Sequence, residues 1–234
     1  MTDFAITQPK TAKGFTYSDA PQGSPEWVQN RHAKVTASRL GDWLAVGKNG
    51  KPLKRRTDYE VEIAYEKQFG VSFQKFVTKA MQDGIDFEES LADAYSSVLG
   101  VPVEKCGFFY SDKFGASPDR LVGDDGLIEC KMLGDNSFAD VLLNGVPDDY
   151  YLQIQGQLWA TGRKWCDFVA GNLNTSKFKV IRVLPDAETI ERIRDSLSDL
   201  DNIVSEFDTE QLYDFTNTPQ NTTTQPTTEE VIWV

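Results

Sequence analysis

The chain has 234 residues, 40% hydrophobic and 26% charged, with a formal net charge of −12 at pH 7. That is enough apolar material for one α/β domain with a sizeable core, and no apolar run approaches the length of a membrane span. Three dispersed cysteines (Cys106, Cys130, Cys166) and one histidine, His32, argue against a disulfide frame, a zinc site or a histidine metal cluster.

Residues 1–22 are polar, with Gly, Pro and Thr, and read as a flexible arm. The first residues lack the basic and apolar regions of a signal peptide, which sets the expectation of a cytoplasmic protein. Ser24-Pro25-Glu26 is a helix start, with Ser as N-cap and Pro at the first helical position. That helix carries Trp27, Val28 and Arg31. A second helix is expected from Val35-Thr36-Ala37-Ser38, with Leu40, Trp43, Leu44 and Val46 as its apolar stripe. Residues 47–56 form a basic loop, followed by a helix over 58–69.

The basic loop changes the meaning of the net charge. Residues 1–80 carry a net +5 and residues 81–234 a net −17. An acidic protein can bind nucleic acid through one local basic surface, because charges act over about 8 Å in physiological salt. Lys48, Lys51, Lys54, Arg55 and Arg56 are the candidate DNA-binding residues, with Lys75 and Lys79 further on. A solvated basic loop is the competing reading.

Residues 77–99 read as a long helix closed by Gly100. Gly84 interrupts it, and Glu88 lies one turn beyond Gly84 on the same face. Strands are expected over 101–110, 114–122 and 127–132, then a helix over 150–160 with Tyr150, Gln153 and Gln157 at helical spacing. Strands over 165–171 and 178–184 and a last amphipathic helix from Pro185 complete the pattern. The order predicts α/β architecture: a central mixed β-sheet flanked by helices, with an N-terminal helical part. Residues 23–215 are expected to form a single domain. The Thr/Asn/Pro/Gln-rich stretch within 216–234 reads as a disordered tail ending in Glu229-Glu230-Val231-Ile232-Trp233-Val234.

The chemistry concentrates in Ser117-Pro118-Asp119, then nine residues, then Glu129-Cys130-Lys131. The intervening residues read as strand, Asp-Gly turn and strand. Alternation places Glu129 and Lys131 on one face and Cys130 on the other, with Asp119 beside them on the partner strand. Ile128 and Cys130 mark an inner strand, where charges are expensive unless paired or bound to metal. A Mg²⁺ site is therefore favoured over a solvated ion pair.

Taken together these residues resemble the PD-(D/E)XK nuclease superfamily and, within it, the bacteriophage lambda exonuclease type, the YqaJ-like viral recombinase family. The resemblance spans residue 24 to the last helix and rests on motifs in the right order. Trp27-x3-Arg31 with Thr36-Ala37-Ser38 matches the N-terminal motif, and Gly84-x3-Glu88 the helical glutamate. Asp119 with Glu129-Cys130-Lys131 matches the nuclease core, and Tyr150-x2-Gln153-x-Gln155 the helix that follows it.

The resemblance implies a restriction-endonuclease-like core and a Mg²⁺-dependent 5′→3′ exonuclease. Such an enzyme degrades one strand of linear duplex DNA from a 5′-phosphorylated end to mononucleotides, leaving a 3′ overhang for single-strand-annealing recombination. It implies two Mg²⁺ ions, with Mn²⁺ able to substitute, held by Asp119, Glu129, the Cys130 backbone carbonyl and Glu88. Lys131 would orient or deprotonate the attacking water, aided by a lowered pKa beside metal. Gln153 would hydrogen-bond the lysine, the water or DNA. Arg31, Ser38 and Ser117 would bind the 5′-phosphate, Ser38 from near a helix N-terminus, and Tyr150 and Gln155 would contact DNA. Implied partners are a toroidal homotrimer and a phage single-strand annealing protein, in a bacterial host's cytoplasm. The alternatives are a restriction-type nuclease of the same superfamily, which would cut internally; a Cas4/RecB-like one, whose usual iron–sulfur cluster needs four thiolates where three dispersed cysteines are present; and a non-catalytic DNA-end-binding scaffold.

Overall fold

The computed structural model describes residues 9–72 and 79–206. Lys75, the expected helix start at Val77 and the tail from residue 216 onward lie outside the described residues.

In chain order the elements are β1 (Thr16–Ser18), α1 (Pro25–Arg31), β2 (Val35–Thr36), α2 (Leu40–Trp43), α3 (Lys54–Phe69), α4 (Lys79–Leu99), β3 (Phe108–Tyr110) and β4 (Phe114–Ala116). Then follow β5 (Arg120–Val122), β6 (Gly126–Met132), α5 (Asp135–Asn144), α6 (Asp148–Thr161), β7 (Trp165–Asn172), β8 (Lys177–Val183), α7 (Ala187–Ser196) and α8 (Leu200–Ser205). The strands form two four-stranded sheets, ordered β1-β3-β4-β2 and β5-β6-β7-β8, instead of the one sheet expected. The parallel pairs are β2 with β4 and β6 with β7; every other pairing is antiparallel.

Sheet β5–β8 is covered on both faces, which explains the near-continuous apolar reading of β6 and β7. On one face Leu127, Cys166, Phe168 and Ala170 join Ile154 and Leu158 of α6 in the larger core cluster. On the other, Ile128, Cys130 and Val169 meet Leu91, Ala92 and Tyr95 of α4. Glu129 therefore points toward α6 and Cys130 toward α4, as alternation requires.

Several local expectations are corrected. Residues 35–46 are not a helix: two residues pair as β2, residues 37–39 form a 3-10 turn, and α2 is a single turn. Val46 instead makes an isolated bridge to Pro52 and is exposed. Residues 16–18, within the stretch expected to be a loose arm, pair as β1 with β3. Tyr17 explains the attachment, since its hydroxyl accepts from the Gly107 amide at 3.0 Å. Helix α5 was not foreseen. Its N-cap is Gly134, which supplies no capping side chain, and Leu142 and Leu143 are exposed, so neither cap nor apolar stripe announces it.

Gly107 lies where the β1–α1 connection crosses β3. A Cβ there would collide with the backbone carbonyl of Ser18, and backbone cannot swing aside as a side chain can. Gly107→Ala should therefore lower stability by about 1–3 kcal/mol, the usual range for overpacking. A urea denaturation midpoint that shifts down, with unchanged slope, would record it.

Candidate active site

Strand β6 delivers the central pair. Glu129 is fully buried, and both carboxylate oxygens are engaged. Gln153 Nε2 donates to Oε1 and Gln157 Nε2 to Oε2, each at 2.6 Å, from adjacent turns of α6. Lys131 Nζ lies 2.7 Å from Glu129 Oε1 and 2.9 Å from Glu88 Oε1 of α4. Its ammonium also sits 5.9 Å from the centre of the Tyr150 ring. Asp119 precedes β5. Its Oδ2 accepts from the Cys130 amide at 2.6 Å, which places it beside Glu129 across the hairpin.

Three carboxylates thus surround one ammonium, and the electrostatics follow. Burial, then the negative charge of Glu129, pushes Asp119 well above the usual carboxylate range. Burial likewise raises Glu88, against the pull of Lys131. For Lys131 burial works downward, but Glu129, Asp119 and Glu88 outweigh it and hold the amine well above its ordinary value. Without metal the side chain is therefore an ammonium; the lowered pKa expected for Lys131 belongs to the metal-bound site.

These groups line one cavity of about 120 Å³. Arg31, Thr36, Ala37, Ser38, Ser117 and Gln22 line it too. The sequence-predicted Glu88, Asp119, Glu129, Lys131 and Gln153 are thereby brought together with Arg31, Ser38 and Ser117. The Arg31 guanidinium lies 4.2 Å from the Trp27 ring centre and 5.9 Å from that of Phe108. Burial lowers its pKa below the ordinary value. The charge of Glu66 reaches Arg31 and pulls against that shift; the ion pair to Glu26 that would compete with an anion is absent among the described residues. Ser38 lies in the 3-10 turn, not at the start of a longer helix, and its Oγ is 3.5 Å from Thr36 Oγ1. Tyr59 holds this turn from beneath: its hydroxyl accepts from the Thr36 amide at 3.0 Å. Ser117 Oγ donates to the Gly107 carbonyl at 2.9 Å.

The expected DNA-contacting residues fare differently. Gln155 is fully buried, donating to the Leu184 carbonyl at 2.9 Å and accepting from the Asp186 amide at 2.8 Å. It is a strut between α6 and the β8–α7 junction, facing away from the cavity side of α6, and the DNA-contact expectation is corrected. Arg56 is packed, paired with Glu60 at 2.7 Å, with its guanidinium 5.7 Å from the centre of the Trp43 ring. Lys54 and Arg55 begin α3 instead of lying in a loop, paired with Asp58 at 2.6 Å and Asp149 at 2.9 Å. Lys48 and Lys51 are exposed on the loop. Tyr150 is half-buried and stacked on Phe168 at 5.5 Å.

Gln157 is the functional candidate that sequence reasoning passed over. The signal was its spacing four residues after Gln153, which puts both amides on one helix face. What made the pair meaningful is the carboxylate opposite, which only the folded chain supplies.

The donor set suits a hard divalent cation in kind: carboxylate oxygens of Glu88, Asp119 and Glu129. Two observations support that fit. Asp119 is raised first by burial and then by the negative charges of Glu129 and Glu88 beside it, against the pull of Lys131. Gln157 Oε1 is buried without a partner and belongs to a residue lining the cavity. Among the described residues, however, no three His, Cys, Asp or Glu side chains are drawn into a preformed metal cage. Lys131 bridges Glu88 and Glu129 and competes for the same oxygens. The Cys130 side chain packs on the α4 side, so only its backbone could serve this cavity.

A family model described as the YqaJ-like viral recombinase domain matches residues 26–164. No curated protein gives a significant match. Among solved structures, the alkaline exonuclease LHK-Exo from Laribacter hongkongensis is similar at 31% identity with a TM-score of 0.68, over 78% of this chain and 93% of that one. Its complex with dAMP aligns equally well, at 30% identity and a TM-score of 0.68 over the same shares of both chains. A phage-related exonuclease from Haemophilus somnus 129PT shares the fold at 17% identity and a TM-score of 0.58, over 74% and 94% of the two chains.

Proposed function

We propose, from the premise that the chain belongs to the YqaJ-like viral recombinase domain family, that it is a Mg²⁺-dependent exonuclease. It would act 5′→3′ on linear duplex DNA from a 5′-phosphorylated end, release mononucleotides and leave a 3′ overhang for annealing-based recombination. Family membership and the likeness to an alkaline exonuclease support a phage-type nuclease. The likeness to that enzyme's dAMP complex supports a nucleotide product. The observation that carries the reading is a single cavity lined both by Glu88, Asp119, Glu129 and Lys131 and by Arg31, Ser38 and Ser117.

The chain's own residues divide the work. Asp119, Glu129 and Glu88 would hold the cations, with the Cys130 carbonyl as a further donor. Bound metal supplies a nucleophilic water at neutral pH and neutralises charge on attacking and leaving oxygens. Gln153 and Gln157 fix both oxygens of Glu129, so its carboxylate is oriented before substrate arrives. Lys131, as an ammonium, would orient the attacking water and balance charge developing on the phosphate. Arg31 would present its fork to a terminal phosphate, with the Ser38 and Ser117 hydroxyls beside it. Lys48 and Lys51 would follow the duplex backbone. A homotrimer around DNA and an annealing protein as partner belong to the same reading, with Glu229 to Val234 as the docking peptide for that protein.

Digestion of linear duplex carrying 5′-phosphate or 5′-hydroxyl ends, with Mg²⁺ or EDTA, tests the reading. Mononucleotides should appear from the 5′-phosphate end with Mg²⁺ and vanish with EDTA. Arg31→Ala should remove most of the preference for phosphate, a loss of about ten- to hundredfold if one charge-assisted contact is lost. Cleavage of closed circular duplex would instead favour an internally cutting enzyme of the same superfamily.

A further inference from the structure

We infer that Arg163, which lies outside the cavity, is a positioning residue that sets the register of Asp119 against Glu129. The inference rests on the metal-dependent reading of that cavity. Arg163 follows α6 and is buried, yet among the described residues it forms no ion pair. Its Nη1 donates to main-chain carbonyls: Gly126 at 2.6 Å, Gly123 at 2.7 Å and Val122 at 3.5 Å. Its Nε is buried and unpartnered. A buried cation hydrogen-bonded only to carbonyls is expensive, and an apolar side chain of similar length would pack more cheaply. The charges of Asp124, Glu104 and Asp125 reach it without pairing; what its hydrogen bonds supply is direction, with one nitrogen holding both ends of the β5–β6 turn.

That turn governs the site. Val122 pairs with Gly126 and Arg120 with Ile128, and the next step of the same register sets Asp119 beside Glu129. A slip of one residue would turn Glu129 and Lys131 away from α6 and bring Cys130 in. Asp119 precedes Val122 by three residues, and Glu129 follows Gly126 by three. The residues after Arg163 strengthen the attachment: the Lys164 amide donates to the Asp125 carbonyl at 2.8 Å. The opposite end of the hairpin is gripped by Gln153 and Gln157. Both grips come from α6 and the residues directly after it, so one rigid element holds the hairpin at its turn and at its carboxylate.

Mn²⁺ titration followed by electron paramagnetic resonance, alongside kcat and KM on duplex DNA, tests this at a temperature where circular dichroism shows each variant folded. Arg163→Met should weaken Mn²⁺ binding and lower kcat, each by about ten- to hundredfold, as expected when support behind metal ligands is removed. KM for DNA should stay within about twofold, because Arg31 and Ser38 lie on other elements and a residue acting only on the carboxylates leaves uniform binding intact. Lys164→Ala, which removes an exposed ion pair to the same turn, should leave both values unchanged. If Arg163→Met does not fold, Arg163→Lys carries the test. It keeps the charge but not the planar fork, and Mn²⁺ affinity should still fall several-fold with little change in thermal midpoint. Folded Met or Lys variants with wild-type Mn²⁺ affinity and kcat would overturn the inference while leaving the nuclease reading standing. A wild-type protein that binds Mn²⁺ but cuts no DNA, with Arg163→Met still weakening Mn²⁺ binding, would sink the nuclease reading alone.

Discussion

Lys131→Ala should reduce DNA hydrolysis by about 10²–10³-fold while leaving duplex binding nearly intact, the loss typical of removing one preorganised charge aimed at a transition state. The Lys131 ammonium touches Glu129 and Glu88 and is held well above its ordinary pKa by the surrounding carboxylates. Without metal it therefore carries a full charge at neutral pH, and the contribution expected of it is electrostatic. Arg31 lines the same cavity from another element and the basic loop lies outside it; both keep their charges in this variant, so a gel-shift titration should find affinity within a few-fold of wild type. The same substitution has a second signature. Without the ammonium, three carboxylates share a buried cavity with nothing to balance them, so the metal-free variant should be less stable than wild type. Mg²⁺ should then raise its thermal midpoint more than that of wild type, because binding to the folded state alone stabilises by mass action. A variant that cuts at wild-type rate, or fails equally in binding and cutting, would remove Lys131 from the transition state.

The site was legible because strand alternation is nearly free of context. Glu129, Cys130 and Lys131 sort to opposite faces whatever lies around them; the hairpin folds back slightly before the expected Asp-Gly turn, through residues 123–125 with Gly123 at φ +51°, while Gly126 already pairs with Val122 in β6. Helix α6 was legible for the same kind of reason, with Gln153 one helical turn from Tyr150. Less of the fold was local. β1 exists because β3 offers it a partner, and β2 because β4 does. Nothing in Thr16–Ser18 or Val35–Thr36 states that by itself. The division into two sheets turns on residues 117–119, where the chain leaves β4 and enters β5; the one mark of that break in the run expected to be a strand over 114–122 is Pro118, which cannot donate to a ladder. Charge was the least legible feature. Arg56, Lys54 and Arg55 read as one basic surface, yet each has an acidic partner, two of them four residues on in α3. Gln155 and Gln157 are indistinguishable by composition. Two residues apart on a helix, they face different neighbours, and one braces the fold while the other holds Glu129.

Glu129→Gln should abolish metal-dependent hydrolysis almost completely, a loss on the order of 10³-fold if several kcal/mol of metal-assisted stabilisation disappear. The replacement keeps the volume and removes the charge. It also introduces a conflict of hydrogen bonding: Gln153 and Gln157 both donate to Glu129, and an amide accepts through only one of its two terminal atoms. One glutamine must turn away, so the loss of activity should come with a loosened α6 contact. The pH dependence distinguishes this from simple unfolding. In the metal-free wild type, burial and the charge of Glu129 raise Asp119 above its unfolded value. A carboxyl raised in this way binds more protons folded than unfolded, so stability falls as pH climbs from the ordinary carboxylate range through the raised value. Glu129→Gln removes the second of those causes and should flatten that fall. Mg²⁺ should raise the wild-type thermal midpoint at pH 8 and leave the variant's unmoved. A variant midpoint that still climbs with Mg²⁺ as the wild type's does would place the cation somewhere other than on Glu129.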